Sequence, residues 1–368
     1  MIDKTILKPE ERAILALRAL YRQHGYLPYK MSKFEEYEYY IRNKDFLVSD
    51  RVITFTDTSG RLLALKPDVT LSIIKSVTDL PGIKHRVCYN ESIYRVSEST
   101  GQFKEITQTG LECIGDIDLY DIFENLSLAA RSLSMICGDF ILQISHMGIL
   151  SALLEDASQD SAFRQQALEY IGSKNAHDLH RLCLETGVEE KSAALLAQIT
   201  TLSGPREEVL ARLEDMDCPG IRKPLEELKA LSAMLSGTPE SRSIIFDFSV
   251  VNNMNYYSGI VFRGFLSGIS EGVLAGGQYD RLMEKLGRKS GAIGFAIYLN
   301  LLEQLPAPAA KFDVDTLVVY ESAARMQEAA VLAARLIQEG KSVSVQRAIP
   351  PKLRYRQLIR ICEEVAPC

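Results

Sequence analysis

Gln108 and Glu112 stand four residues apart in a β-prone run, and a strand places such residues on one face. A carboxylate beside an amide on a half-buried sheet face suits the ammonium group of an amino acid, because both offer acceptor oxygens. Asp68 and Thr70 follow the run Leu65-Lys66-Pro67. Arg95 closes another β-prone run, and its fork of donors suits a carboxylate or phosphate. Tyr256 and Tyr257 open a further strand, while Gly276-Gly277 would let a ligand approach bare backbone. Taken singly, each is ordinary strand polarity or a helix cap. Their shared order in one chain gives them weight.

Other chemistries lack their motifs. There is no G-x-x-x-x-G-K-[ST] phosphate loop, no G-x-G-x-x-G after a strand, no G-x-S-x-G and no H-E-x-x-H. His177 and His180 sit on a polar helical face without further ligands and read as solvated surface residues rather than a metal site. Neither a metal nor a cofactor is expected. Seven cysteines, odd in number and never in a C-x-x-C pair, read as free thiols of a reducing cytosol.

The elements that must position these residues follow from periodicity. Pro9-Glu10-Glu11 starts a helix carried by Ile14, Leu17, Leu20 and Tyr21, with Gly25 as its stop. Val52 to Phe55 and Leu62 to Leu65 flank Asp57-Thr58-Ser59-Gly60 as a hairpin. Arg86 to Arg95 and Ile106 to Ile114 form a second strand pair, followed by a helix from Asp118 to Cys137. The stretch from Leu150 to Leu235, rich in Ala, Leu, Glu and Gln, reads as an inserted helical module. Strands are expected at 243–250, 256–266 and 274–277, then a helix over Gly294 to Leu305. After Pro306-Ala307-Pro308 come a strand at 316–320, a helix at 322–339, a strand at 343–346 and a helix at 352–364. The expected domains are 1–149 with 240–305 as a core, 150–239 as the insertion, and 312–368 as a small α/β piece.

At roughly 150 residues per domain, 368 residues give two to three domains with ample buried core. With 42 Lys+Arg against 48 Asp+Glu the net charge is -6, so no global basic field draws in nucleic acid. The basic run Lys341, Arg347, Lys352, Arg354, Arg356 and Arg360 reads as a solvated helix face rather than an RNA contact. The start carries early charges and no apolar signal core, and Leu126 to Ile144 is interrupted by Arg131 and Asp139. A cytoplasmic protein with no membrane span is expected.

The ordered set Leu65-Lys66-Pro67-Asp68-Val69-Thr70, Tyr94-Arg95, Gln108-Thr109-Gly110-Leu111-Glu112, Tyr256-Tyr257, Gly276-Gly277-Gln278-Tyr279-Asp280 and Gly294-Phe295-Ala296 resembles histidyl-tRNA synthetase. The resemblance covers about residues 5–150 and 240–305. It implies an α+β fold of the class II aminoacyl-tRNA synthetase kind, an antiparallel sheet flanked by helices, here with a helical insertion and a small C-terminal α/β piece. That last piece is similar to the first half of the family's anticodon-binding domain. By motif position, Asp68, Thr70, Gln108, Glu112, Tyr256 and Tyr257 would line a histidine pocket, with Glu112 on the ammonium, and Arg95 would hold an anion.

The departures bear on activity. The synthetase pattern R-G-L-D-Y-Y is here Asn252-Asn253-Met254-Asn255-Tyr256-Tyr257, so its arginine is Asn252 and its aspartate Asn255. The ATP-holding arginine of the third class II motif is here Leu301. Adenylation builds negative charge on phosphate, and losing one well-placed donor typically costs about 10² to 10³ in rate. A kept amino-acid pocket beside a dismantled ATP site resembles the regulatory subunit of ATP phosphoribosyltransferase, to which Leu63 to Thr70 and Tyr257 to Phe262 are especially close. That resemblance implies a non-catalytic partner of the short catalytic subunit in histidine biosynthesis. It also implies self-association as a dimer, histidine as inhibiting effector, and no tRNA binding. The alternatives are an active histidyl-tRNA synthetase or histidine-adenylating paralogue, and a stand-alone amino-acid-binding regulator.

Overall fold

The structure is a computed structural model that describes residues 7–43, 52–80, 82–97, 100–251, 254, 256–305 and 311–361. Helix α1 (Pro9–Gln23) opens on proline and two acids and buries Ala13, Leu17, Leu20 and Tyr21. Strands β1 (Leu27–Pro28) and β2 (Phe34–Glu36) and helix α2 (Tyr37–Arg42) follow, then β3 (Thr54–Thr56) and β4 (Leu62–Leu65). β3 and β4 pair antiparallel across the expected turn, where the Asp57 carboxylate accepts from Ser59 and Arg61. Helix α3 (Val69–Ser76) then leads into the long strands β5 (His85–Val96) and β6 (Phe103–Gly115) and helix α4 (Leu119–Ile136).

Strand β7 (Phe140–His146) enters the middle of the sheet before helices α5 (Met147–Ala157), α6 (Ser161–Gly172), α7 (Ala176–Thr186) and α8 (Glu190–Thr200). The short strand β8 (Ser203–Gly204) and helices α9 (Arg206–Glu214) and α10 (Arg222–Ser236) complete the helical stretch. The chain returns to the sheet through β9 (Ile244–Asp247), β10 (Ile260–Leu266) and β11 (Leu274–Gln278), then α11 (Asp280–Lys285) and β12 (Gly291–Tyr298). The nine strands run in the order β1-β5-β6-β12-β11-β10-β7-β9-β8. Pairing is antiparallel except at β1/β5 and β7/β9. One continuous core joins α1, α4 and the inserted helices to one side of the sheet; a second cluster gathers α2, α3 and α11 around Tyr89 and Tyr279.

The chain divides into two compact units, Met1–Leu305 and Pro306–Cys368. In the second, β13 (Val314–Tyr320), α12 (Met326–Gln338), β14 (Val343–Gln346) and β15 (Tyr355–Ile361) form a parallel three-stranded sheet, order β14-β13-β15, with Val318, Ala329, Leu336 and Ile361 as its core.

Several expectations are corrected. Gly294 to Tyr298 is the end of a central strand, not a helix: Phe295 and Ile297 bury on one face while Gly294 and Ala296 turn to the other, the period of two. Only the short 3-10 turn Leu299–Gln304 follows it. The last expected helix is strand β15 as far as Ile361, because Tyr355, Leu358, Ile359 and Ile361 suit a pleated surface; residues 362–364 of that expectation lie outside the described residues. The basic run is therefore no helix face: Arg354 pairs with Asp313 at 2.7 Å and Arg356 with Asp315 at 3.7 Å. Strand β10 begins at Ile260, leaving the tyrosine pair in the approach to it. His177 and His180 are exposed on α7.

Candidate functional site

Lys66, Pro67 and Asp68 carry the chain from β4 into α3. Proline disfavours helix at the residue before it, and the Asp68 carboxylate then accepts the Leu71 N–H at 2.9 Å as the helix N-cap. Lys66 is fully buried and reaches Glu91 of β5 at 2.8 Å, while Glu91 also accepts the Met31 N–H. This pairing fixes the segment against the sheet. Thr70, in the first turn of α3, is thereby aimed at β6, and its hydroxyl donates to Glu112 Oε1 at 2.9 Å.

Glu112 lies on β6 with Gln108, and the two are 2% and 5% exposed. Its cross-strand neighbour on β12 is Gly294. A Cβ there would collide with Glu112 Oε2 and stand 2.5 Å from the Leu111 carbonyl oxygen, so glycine is what admits the carboxyl group. The Tyr279 hydroxyl donates to the same Oε2 at 2.6 Å. Tyr256 packs against Tyr257 with ring centroids 4.6 Å apart and planes tilted by 39°, and its ring stands 5.8 Å from that of Tyr279. The Arg95 guanidinium donates from Nε to the Pro67 carbonyl at 3.2 Å and comes within 4.0 Å of Asp68 Oδ2.

All seven residues singled out from the sequence line one cavity of about 360 Å³, floored by β6, β12 and β11 and roofed by α3. Tyr89, Tyr279 and Tyr298 also line it. Of these, Tyr279 falls within the Gly276 to Asp280 segment of the resemblance, whereas a lone tyrosine in a strand, as at Tyr89 and Tyr298, carries no signal of the cavity it faces.

Burial pushes the Glu112 carboxyl up to about 8, against the pull of the Tyr279 and Thr70 hydrogen bonds and with a further push from Asp68. Burial also raises Asp68, countered by the Leu71 N–H and the Arg95 charge. Two buried carboxyls thus share one pocket with a guanidinium nearby. Such a site gains most from a ligand that brings a positive charge to Glu112 and a negative group to Arg95.

Leu301 is half-buried and packs against the main core, putting an apolar side chain where the synthetase motif carries its arginine. Asn252, Asn253 and Asn255 lie outside the described residues. Among the described residues no cluster of His, Cys, Asp and Glu could hold a metal, and no helix is long and apolar enough to cross a membrane.

Residues 6–302 match the family model for histidyl-tRNA synthetase. An ATP phosphoribosyltransferase regulatory subunit from Clostridium kluyveri is 32% identical over 290 residues, 76% of this chain and 74% of that one. The chain belongs to the ATP phosphoribosyltransferase regulatory subunits, a branch of the histidyl-tRNA synthetase family. The fold agrees. A Bacillus halodurans C structure described as an ATP phosphoribosyltransferase regulatory subunit/histidyl-tRNA synthetase superposes with a TM-score of 0.79 at 22% identity, over 98% of this chain and 96% of that one. A chain of the ATP phosphoribosyltransferase (HisG:HisZ) complex from Thermotoga maritima gives 0.61 at 21% identity, over 79% and 97%.

Proposed function

We propose that this regulatory-subunit family member is itself non-catalytic, and that it associates with a short ATP phosphoribosyltransferase catalytic subunit in the first step of histidine biosynthesis. We further read the cavity as the place where histidine binds and reports on supply. In this reading Glu112 takes the ligand ammonium, Asp68, Thr70 and Gln108 its polar neighbours, Tyr256 and Tyr257 one wall, and Arg95 the carboxylate. Residues 1–149 and 240–305 form the ligand-holding core, 150–239 the insertion, and 312–368 the accessory piece.

The observation that carries the reading is the contrast between the cavity and the turn that follows β12. The amino-group end is complete, with Glu112 held from two sides by Thr70 and Tyr279. At the motif position where the synthetase carries its ATP-holding arginine, Leu301 instead packs against the apolar core. Binding is kept and phosphate chemistry is not. Histidine then acts through a coupling free energy, typically about 1 to 3 kcal/mol, between the cavity and the catalytic subunit. The chain self-associates as a dimer and works in the cytoplasm. Two assays test this: size-exclusion chromatography with the catalytic subunit, and histidine-dependent ATP–pyrophosphate exchange by the chain alone. A stable complex with no exchange is expected; vigorous exchange without a complex would make it a histidine-adenylating enzyme.

A further inference from the structure

His146 ends β7 and caps α5: its Nδ1 accepts the Gly148 N–H at 3.0 Å, which leaves the ring proton on Nε2. A Cβ at Gly148 would come 2.9 Å from His146 Cε1, so glycine is what lets the ring lie over this turn. The His146 side chain is 5% exposed, yet Nε2 finds no hydrogen-bond partner among the described residues. Glu227 of α10 repeats the pattern with the opposite polarity. Its buried Oε1 accepts nothing among those residues and stands 3.7 Å from Nε2, beyond hydrogen-bond reach. A buried donor and a buried acceptor thus sit side by side, each calling for a partner. Both line a groove of about 600 Å³ walled by α5 and α10, a size that holds a small ligand. Exposed Lys223, Glu155 and Asp156 and the half-buried Arg281 also line it. The cavity under α3 shares no lining residue with this groove.

We propose that this groove is a second ligand site, taking a small zwitterion that carries a primary carboxamide, such as glutamine or asparagine. The inner pair asks for an acceptor and a donor next to each other on one ligand group. A carboxamide meets it, its oxygen accepting from His146 Nε2–H while its NH2 donates to Glu227 Oε1. An imidazole does not, because its two nitrogens point apart. A carboxylate would set like charges together at Glu227. A metal ion is disfavoured, since Nε2 keeps its proton while Nδ1 caps the helix. At the outer end Lys223 and Arg281 offer donors to an α-carboxylate, and Glu155 and Asp156 offer acceptors to an α-ammonium. Arg281 also donates to the Met254 carbonyl, two residues before Tyr256, so the groove borders the segment that carries the tyrosine pair. The site stands on its own lining and does not depend on what fills the other cavity.

The test is isothermal titration calorimetry of the full chain with L-glutamine, L-asparagine and, as the charged counterpart, L-glutamate. The parent chain is expected to bind at least one of the two amides, and to hold glutamine about tenfold or more tighter than glutamate, the scale of one charge-assisted hydrogen bond. Two variants follow, with thermal melts to confirm folding. His146→Asn keeps a side-chain oxygen to cap α5 but brings no donor to the Nε2 position, and should weaken the amide by about tenfold or more. Glu227→Gln removes the repelling charge, and should erase most of the preference for glutamine over glutamate. Undiminished amide binding by His146→Asn, or an unchanged preference in Glu227→Gln, overturns the assignment. Binding of neither amide by the parent chain overturns it as well. If His146→Asn in that case also fails to form a complex with a short catalytic subunit that the parent chain binds, the groove is a protein contact rather than a small-molecule site.

Discussion

Replacing Glu112 by glutamine removes one charge from a pocket that pays for it in protonation. The carboxyl titrates near 8 because burial disfavours its charged form. An ammonium ligand needs that charge, so below pH 8 its binding must expel a proton from Glu112. Affinity should rise about tenfold for each pH unit between roughly 6 and 8 and level off above, since one pKa unit is about 1.36 kcal/mol. At pH 7 the parent chain therefore binds about tenfold more weakly than its fully ionised form. Calorimetry in two buffers of different ionisation enthalpy counts the released proton directly. Glu112→Gln is expected to lose the proton release and to bind histidine weakly at every pH. The histidine ring titrates in the same range, and the variant supplies that background for subtraction. Identical pH profiles in both proteins, or undiminished affinity in Glu112→Ala, would refute the assignment of the ammonium to this carboxyl. The same group sets a stability trend with a fixed sign. A carboxyl raised in the folded state binds its proton more tightly there than in the unfolded chain. Its stabilising contribution is full below about 4.5 and is lost as the pH climbs to about 8. Unliganded Glu112→Gln should accordingly gain on the parent in thermal melts as pH rises through that window.

Other expected outcomes follow from single contacts. Lys66→Met leaves Glu91 without its buried partner and should cost about 3 to 5 kcal/mol in urea unfolding, whereas the double change with Glu91→Leu should recover much of it. Gly294→Ala puts a methyl group against Glu112 Oε2 and should abolish histidine binding while the chain still melts cooperatively. Leu133→Ala opens a hole between α4 and β10, where Leu133 packs over Gly264, at about 2 to 5 kcal/mol by denaturant titration.

The strands that pair locally were legible in the sequence, because each carries its own alternation and its own turn. The hairpin around Asp57 to Gly60 and the β5–β6 pair are of this kind. Strand β7 was not: Phe140–His146 follows α4 with only a short break, and its place between β10 and β9 depends on residues about a hundred positions later. Strand β12 read as a helix because Ile293, Ile297 and Leu301 also recur at helical spacing, and only burial between β6 and β11 selects the period of two. Helix α3 is not among the expected elements, although aspartate followed by a hydroxyl and an apolar run is a helix start. The site fared better than the elements carrying it. Glu112, Gln108 and Arg95 are polar where strands should be apolar, and that anomaly is visible without coordinates. The Tyr279 hydroxyl on Glu112 joins residues 167 positions apart, which no local pattern encodes.

The most direct measurement is phosphoribosyl-ATP formation from ATP and phosphoribosyl pyrophosphate by a short catalytic subunit, with and without this chain. Strong activation on adding the chain, reversed by histidine in the parent but not in Glu112→Gln, is the result expected of a regulatory subunit that senses histidine in this cavity. An unchanged rate with no complex formed would contradict it.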